Sequence, residues 1–321
     1  MNHPVYAPSP ATTAEAIFIV GVSRSGTTLM WNILNASDKI AIAWENNFFG
    51  HIIGSEGARH RFRKFGDLSV DNNVRRLVDY IYSDQFKKSS RYRNVSRHWR
   101  WIVEKVKKED FLQRILNSDR SERALFVVMM QVFAAHENKP IIGEKTPVHF
   151  RYVPEILRWF PNGRIVHMIR DPRAIFVSEL RRRRKTSTSL YNQLRRFEFL
   201  YKLFILLQTT ILWFESVYRC SKYKKLYPDN YYALRFEDLV RDPENYINQV
   251  CSFLGVDFQN KMLEQSVPRN PMLAGFLAGQ EGFDAQAADR WRHHIDRWIN
   301  SWFSLCFRKY LKELGYTNQS G

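Results

Sequence analysis

The sequence predicts an α/β protein of three layers, α/β/α, with a central parallel sheet and a helical insertion. Short strand-like apolar runs alternate with segments of helical periodicity from Ala16 to Leu254. Three of these runs end in polar clusters, VSRSGTT, EKTP and IRDPR, as a parallel doubly wound sheet requires at its ligand edge. With 321 residues, 45% hydrophobic and 25% charged, the chain can bury a large core as a single domain over 1–321. Wholesale disorder is excluded.

In chain order, residues 1–13 hold three prolines and read as a loose lead-in. Ala16-Ile17-Phe18-Ile19-Val20 has the content of a buried strand and meets a Gly/Ser/Thr-rich turn at Gly21. A helix from Thr27 carries Leu29, Met30, Ile33 and Leu34 on one face. Strand, loop and helix together form a phosphate cradle, in which backbone N–H groups and a helix N-terminus meet an anion. The spacing Gly21-x4-Gly26-Thr27-Thr28 makes the fold P-loop-NTPase-like, but Thr27 stands where the P-loop lysine would be. The loop's cation is Arg24. A donor with fewer phosphates in line than ATP, needing no Mg²⁺, suits this loop better.

Ile40-Ala41-Ile42-Ala43 reads as a second strand, which places Glu45 near the phosphate loop. Residues 48–139 read as the helical insertion, with helices at Val74–Tyr82 and Asp110–Leu116, over the acceptor cleft. Within it, the run from Arg91 to Trp101 can either contact phosphates and stack on bases or pack a helix on the core. Strand character returns at Pro140-Ile141-Ile142-Gly143, which sets Lys145 at the sheet edge, with Thr146 as helix N-cap and Pro147 in the first turn. The helix to Trp159 precedes a strand over 164–169, then Arg170-Asp171-Pro172-Arg173 and a helix holding Ser178. A basic block, Arg181 to Lys185, follows that helix.

The tract from Leu203 to Phe214 is too short to span a bilayer, which takes roughly 20 residues, and reads as a buried helix. A last strand at 231–236 leads to a helix opening at Asp242-Pro243-Glu244, with Ile247, Val250, Cys251 and Leu254 on its core face.

The net charge of +17 fits nucleic acid, an anionic membrane surface or acidic substrates. Cys220, Cys251 and Cys306 form no Cys-x-x-Cys pair, so buried free thiols are expected. His293-His294 makes no metal site, since neighbours on a helix point about 100° apart and no further ligands join them. The first residues lack a basic segment leading into an apolar core, and a cytoplasmic location is the expectation, with peripheral membrane contact allowed.

Val22-Ser23-Arg24-Ser25-Gly26-Thr27-Thr28 resembles the 5′-phosphosulfate loop of sulfotransferases that use 3′-phosphoadenosine 5′-phosphosulfate (PAPS). Arg170-Asp171-Pro172-Arg173 with Ser178 is similar to that family's 3′-phosphate motif. Arg235-Phe236-Glu237-Asp238-Leu239 and Arg290-Trp291 resemble its later segments. The resemblance implies that Arg24, Ser25, Gly26, Thr27 and Thr28 hold the donor's 5′-phosphate and sulfate, that Arg170 and Ser178 hold its 3′-phosphate, and that Arg290 assists. Local similarity points to the tyrosylprotein sulfotransferases and bacterial enzymes like them. That branch places a base glutamate at the position of Glu45 and a lysine at Lys145, which meets charge on the leaving 3′-phosphoadenosine 5′-phosphate (PAP).

His51, His149 and His167 are the other candidate bases. The membrane anchor, disulfides and peptide-binding region of the tyrosylprotein enzymes are not legible, so their substrate is not implied. The expected partners are PAPS and an acceptor hydroxyl, acidic or on a glycan or glycolipid, without metal or nucleic acid. The competing readings are a small-molecule kinase and a basic nucleic-acid-binding protein.

Overall fold

The computed structural model describes residues 15–50, 57–83, 86, 97–184, 197–264 and 283–316. The expected lead-in, His51, Lys185, the start of the basic run at 91–96 and residues 190–196 ahead of the apolar tract lie outside the described residues. Five strands form one sheet: β1 (Ala16–Gly21), β2 (Ile40–Ala43), β3 (Ile141–Lys145), β4 (Arg164–Ile169) and β5 (Tyr231–Arg235). Their order is β2-β3-β1-β4-β5, and every pairing is parallel. β1 lies at the centre, with Ile19 opposite Lys145 on one side and Gly21 opposite Met168 on the other.

Every residue of β1 is buried, because alternate side chains enter two separate cores. Ala16, Phe18 and Val20 join one core, with Phe126, Ile156 and Trp213 among its members. Ile17 and Ile19 join the other, with Ile33 and Leu34 on one helix and Ile247, Val250 and Leu254 on another. Burial of a side chain such as Phe18 contributes about 1.5–3 kcal/mol.

In chain order the helices are α1 (Thr27–Asn35), α2 (Ala58–Phe62), α3 (Asp71–Tyr82), α4 (Arg97–Lys105), α5 (Lys108–Leu116) and α6 (Glu122–Glu137). They continue with α7 (Val153–Trp159), α8 (Pro172–Arg184), α9 (Glu198–Leu226) and α10 (Phe236–Arg241). α11 (Pro243–Leu254), α12 (Arg297–Cys306) and α13 (Arg308–Glu313) complete the described helices.

The edge strand β2 has backbone groups that side chains satisfy. Asn35 Oδ1 accepts from the Ile42 N–H at 2.9 Å, and Trp31 Nε1 donates to the Ile42 carbonyl at 2.6 Å. α1 and β2 are thereby fixed to each other, and with them the segment that follows β2. α6 begins at Ser121, whose side chain accepts from the Ala124 N–H. α11 carries its predicted core residues inward and ends at Gly255, whose φ of 69° is the left-handed cap that glycine supplies.

Four expectations are corrected. Thr146 precedes a short 3-10 helix, Pro147–Tyr152, but its hydroxyl caps nothing there. It donates to Glu144 and accepts from the Asn46 N–H, because a buried carboxylate needs the proton more than a helix end does. The arginine block does not follow α8 but forms its last turn, where cations complement the helix dipole and Arg182 and Arg183 pair with Glu179. The apolar tract from Leu203 belongs to a helix of 29 residues that is long and apolar enough to cross a membrane by length and composition, and one face of it is exposed rather than buried. Cys220 and Cys251 are buried as expected, but Cys306 is exposed.

Among the described residues, His98, His149 and His167 are fully enclosed. His167 meets the Ser216 hydroxyl at 2.8 Å and the Tyr231 hydroxyl, while His98 Nε2 meets the Met129 carbonyl at 3.0 Å. Burial pushes His167 down to about 3 and His98 down to about 4. An unfolded histidine titrates near 6.5, so below that pH the unfolded chain binds more protons and stability falls as pH drops. Urea unfolding between pH 6.5 and 5 is expected to lose about 1.4 kcal/mol per pH unit for each ring. His98→Gln, which keeps a donor for Met129, is expected to reduce that slope.

Candidate active site

Because all the strands run parallel, the segments after β1, β2, β3 and β4 leave the sheet at one edge, and β1 is where the strand order reverses. The loop after β1 is built for close approach. Arg24 takes a left-handed φ of 73° and Gly26 a φ of 96° at the start of α1. A β-carbon at Gly26 would lie 2.6 Å from Phe236 Cδ2, so only glycine fits. No acid occupies the first turn of α1 and no side chain caps it, an end that suits an anion. Ser25 is 1% exposed, and its hydroxyl has no hydrogen-bond partner among the described residues. Thr27 is buried and Thr28 half-buried in the same loop. An orphaned hydroxyl, a helix N-terminus and a cation together fit a phosphate or sulfate group.

A second cation arrives from β4. Arg170 donates to the Arg24 carbonyl at 3.0 Å and the Ala287 carbonyl at 2.9 Å, and its guanidinium lies 4.0 Å over the Phe236 ring. Arg24 Nε in turn donates to the Ser178 hydroxyl on α8 at 2.9 Å. The three residues drawn from two distant motifs therefore meet. Desolvation lowers the Arg170 pKa, and the nearby Arg24 lowers it further against the pull of Glu237. Arg24 keeps an exposed edge, yet protein crowds its guanidinium enough that desolvation lowers its pKa as well. Two cations disfavoured in this way are matched by an anion.

On the other side of β1, Lys145 is wholly buried and donates to Glu45 Oε1 at 2.6 Å. Its ammonium also sits 3.8 Å from the centre of the Trp44 ring. Glu45 is one-third exposed, so the pair runs from the protein interior to the surface. The backbone that carries Glu45 is fixed from below. Thr146 accepts from the Asn46 N–H at 3.3 Å and donates to Glu144, which also meets His149 Nδ1 at 3.0 Å. From above, Trp99 on α4 donates to the Asn46 carbonyl at 3.0 Å.

Of the predicted residues, Arg24, Ser25, Gly26, Thr27 and Thr28 share one loop that Arg170 and Ser178 join, and Glu45 and Lys145 form a pair. Arg290 stands apart. It pairs with Asp284, although it lies on the segment whose Ala287 carbonyl holds Arg170. The alternative bases His149 and His167 are buried against Glu144 and against Ser216 and Tyr231.

Sequence reading missed the frame behind Arg170. Asp171 pairs with the buried Arg173 rather than with Arg170, at 2.7 Å. Glu237 accepts the Asp171 N–H at 3.0 Å and the Tyr316 hydroxyl at 2.9 Å, and burial raises its pKa. Arg173 closes the set by donating to the Tyr316 carbonyl at 2.6 Å and packing on Trp291 at 4.4 Å. Only the Arg-Phe-Glu-Asp string hinted at this.

The fold and this edge define a P-loop-like α/β protein whose loop carries an arginine and has no lysine. Residues 16–260 match the model of the sulfotransferase family, and the chain belongs to that family. Among curated relatives, the omega-hydroxy-beta-dihydromenaquinone-9 sulfotransferase Stf3 of Mycobacterium bovis is 27% identical over 150 residues, 43% of this chain and 34% of that protein. A putative protein-tyrosine sulfotransferase of Caenorhabditis briggsae is 22% identical over 250 residues, 78% of this chain and 68% of that one. The chain thus spans about a third of the length of the Mycobacterium relative. In structure, it is similar to the sulfotransferase domain of the Synechococcus PCC 7002 olefin synthase, with a TM-score of 0.51 at 18% identity over 94% of this chain and 97% of that one. That likeness is one of fold.

Gly26→Ala combines a disfavoured φ with the clash against Phe236. It is expected to lower stability by about 1–3 kcal/mol, read as a fall in the thermal midpoint, whereas Ser25→Ala is expected to leave that midpoint within experimental scatter because its hydroxyl has no partner among the described residues.

Proposed function

We propose that the chain transfers the sulfuryl group of PAPS to an acceptor hydroxyl. The observation that carries this reading is the meeting of Arg24, Arg170 and Ser178 at the phosphate loop, beside the Lys145–Glu45 pair. Arg24, the loop N–H groups and the hydroxyls of Ser25, Thr27 and Thr28 hold the 5′-phosphosulfate. Arg170 and Ser178 hold the 3′-phosphate, which distinguishes this donor from an ordinary adenine nucleotide. Arg290 plays a lesser part, closing the nucleotide edge near Ala287.

In the reaction the acceptor oxygen attacks sulfur, and its proton passes to the Glu45 carboxylate. The bond between sulfur and the bridging oxygen breaks, and the electron pair leaves with PAP. The Lys145 ammonium, held without solvent on the Trp44 face, stabilises the charge that grows on that oxygen. The hydrogen bond from Lys145 at 2.6 Å fixes the Glu45 carboxylate in place beside the loop. The helices between β2 and β3, tied to the Glu45 segment by Trp99, shape the acceptor entrance. A hydroxyl acceptor agrees with the names of the two relatives, an omega-hydroxy menaquinone enzyme and a protein-tyrosine enzyme. The positive charge favours an acidic or glycan-linked acceptor.

Single-turnover assays with labelled PAPS and a panel of hydroxyl acceptors test the reading directly. Calorimetry is expected to show PAP binding at least about tenfold tighter than AMP, a margin that Arg170→Ala or Ser178→Ala removes; equal affinities in the unaltered chain would refute the 3′-phosphate assignment. Glu45→Gln is expected to retain PAP affinity while turnover falls by roughly 100-fold or more. Unchanged turnover would assign the base elsewhere.

A further inference from the structure

α9 has two unlike faces. Tyr201, Ile205, Leu206, Trp213 and Val217 are buried in the fold, and Trp213 Nε1 donates to the Arg170 carbonyl at 3.0 Å. On the opposite face Leu200, Leu207, Ile211, Phe214 and Tyr218 recur at helical spacing and are exposed, Ile211 by 52% and Tyr218 by 56%. α12 extends this stripe with exposed Trp298, Trp302 and Leu305, the last 77% exposed. The two helices touch along it. Trp302 Nε1 donates to the Thr210 hydroxyl at 3.2 Å, and the rings of Phe199 and Trp298 lie 5.6 Å apart. The result is one continuous apolar patch, larger than scattered surface leucines explain.

Its rim is basic. Lys222 and Lys225 continue the stripe at the end of α9, and Arg308 and Lys309 follow α12, all exposed. Both acids of α9 are already paired, Glu198 with Lys202 and Glu215 with Arg151 and Arg219.

We propose that this face docks on an anionic lipid surface, with α9 and α12 lying in the headgroup layer. Apolar and aromatic side chains on one face with lysine and arginine at the margins are the composition of interfacial helices, and tryptophan favours that layer. The charge argues against a second copy of the chain as occupant, since a symmetric contact would bring two basic rims together on molecules of net charge +17. The helix lies on the surface rather than crossing it, because its inner face carries the Glu215–Arg151 pair and the Trp213 bond into the fold. This inference does not depend on the reaction proposed above.

The test is co-sedimentation of the full chain with phosphatidylcholine vesicles, with and without phosphatidylglycerol. Binding is expected only to the anionic vesicles and to weaken with salt. Ile211→Asp with Leu305→Asp, and separately Lys222→Glu with Lys225→Glu, are each expected to reduce affinity at least about tenfold. Both pairs lie on exposed positions, and unchanged melting curves and PAP affinity would show that fold and nucleotide site persist. No binding, equal binding to both vesicle types, or undiminished binding by the variants would overturn the proposal. Light scattering that finds a dimer, reduced to monomer by Ile211→Asp, would assign the face to a second copy instead.

Discussion

The parallel pairing of β1 between β3 and β4 is the constraint from which the site follows. Ile19 lies opposite Lys145 and Gly21 opposite Met168, so three chain segments far apart in sequence leave the sheet within a few residues of one another. A slip of one residue would exchange the faces of β1 and move Phe18 out of its core. The two hydrophobic cores therefore protect the register, and the register sets the chemistry.

Around that edge the protein holds its charges in two different ways. The Lys145 ammonium is fully buried but compensated by Glu45 and Trp44. Arg24 and Arg170 are close together and short of counter-charge, although Glu237 and Glu179 act on them from behind. A bound anion would relieve the second arrangement and leave the first intact. Such a division suits an enzyme that must capture a polyanion and yet keep a carboxylate available beside it.

Much of this was legible in the sequence. The strands at 40–43 and 164–169 and the core face of α11 were written in apolar runs and periodicity. Gly21, Arg24 and Gly26 marked the loop, and Arg170 with Ser178 marked its counterpart. What sequence could not show was which of several possible partners the tertiary fold would bring to a polar group. Thr146 looked like a helix cap because Pro147 follows it, yet the buried Glu144 and the Asn46 amide claimed its hydroxyl. Asp171 could have paired with either neighbouring arginine; the buried Tyr316 carbonyl and Trp291 ring drew Arg173 to it. The long apolar tract looked buried because composition does not reveal which face of a helix finds a partner.

Trp213 stands on α9 with the Arg170 backbone on one side and Ile211 and Phe214 on the other. The helix is only about 10 Å across, so the Arg170 side of the site and the outer surface of the molecule are separated by one rod and no linker. A load on that outer surface would be felt at the Arg170 carbonyl as a displacement of a rigid body. Whatever rests there also sets the height and tilt at which the nucleotide edge is presented. Search for an acceptor confined to the same plane would then proceed in two dimensions.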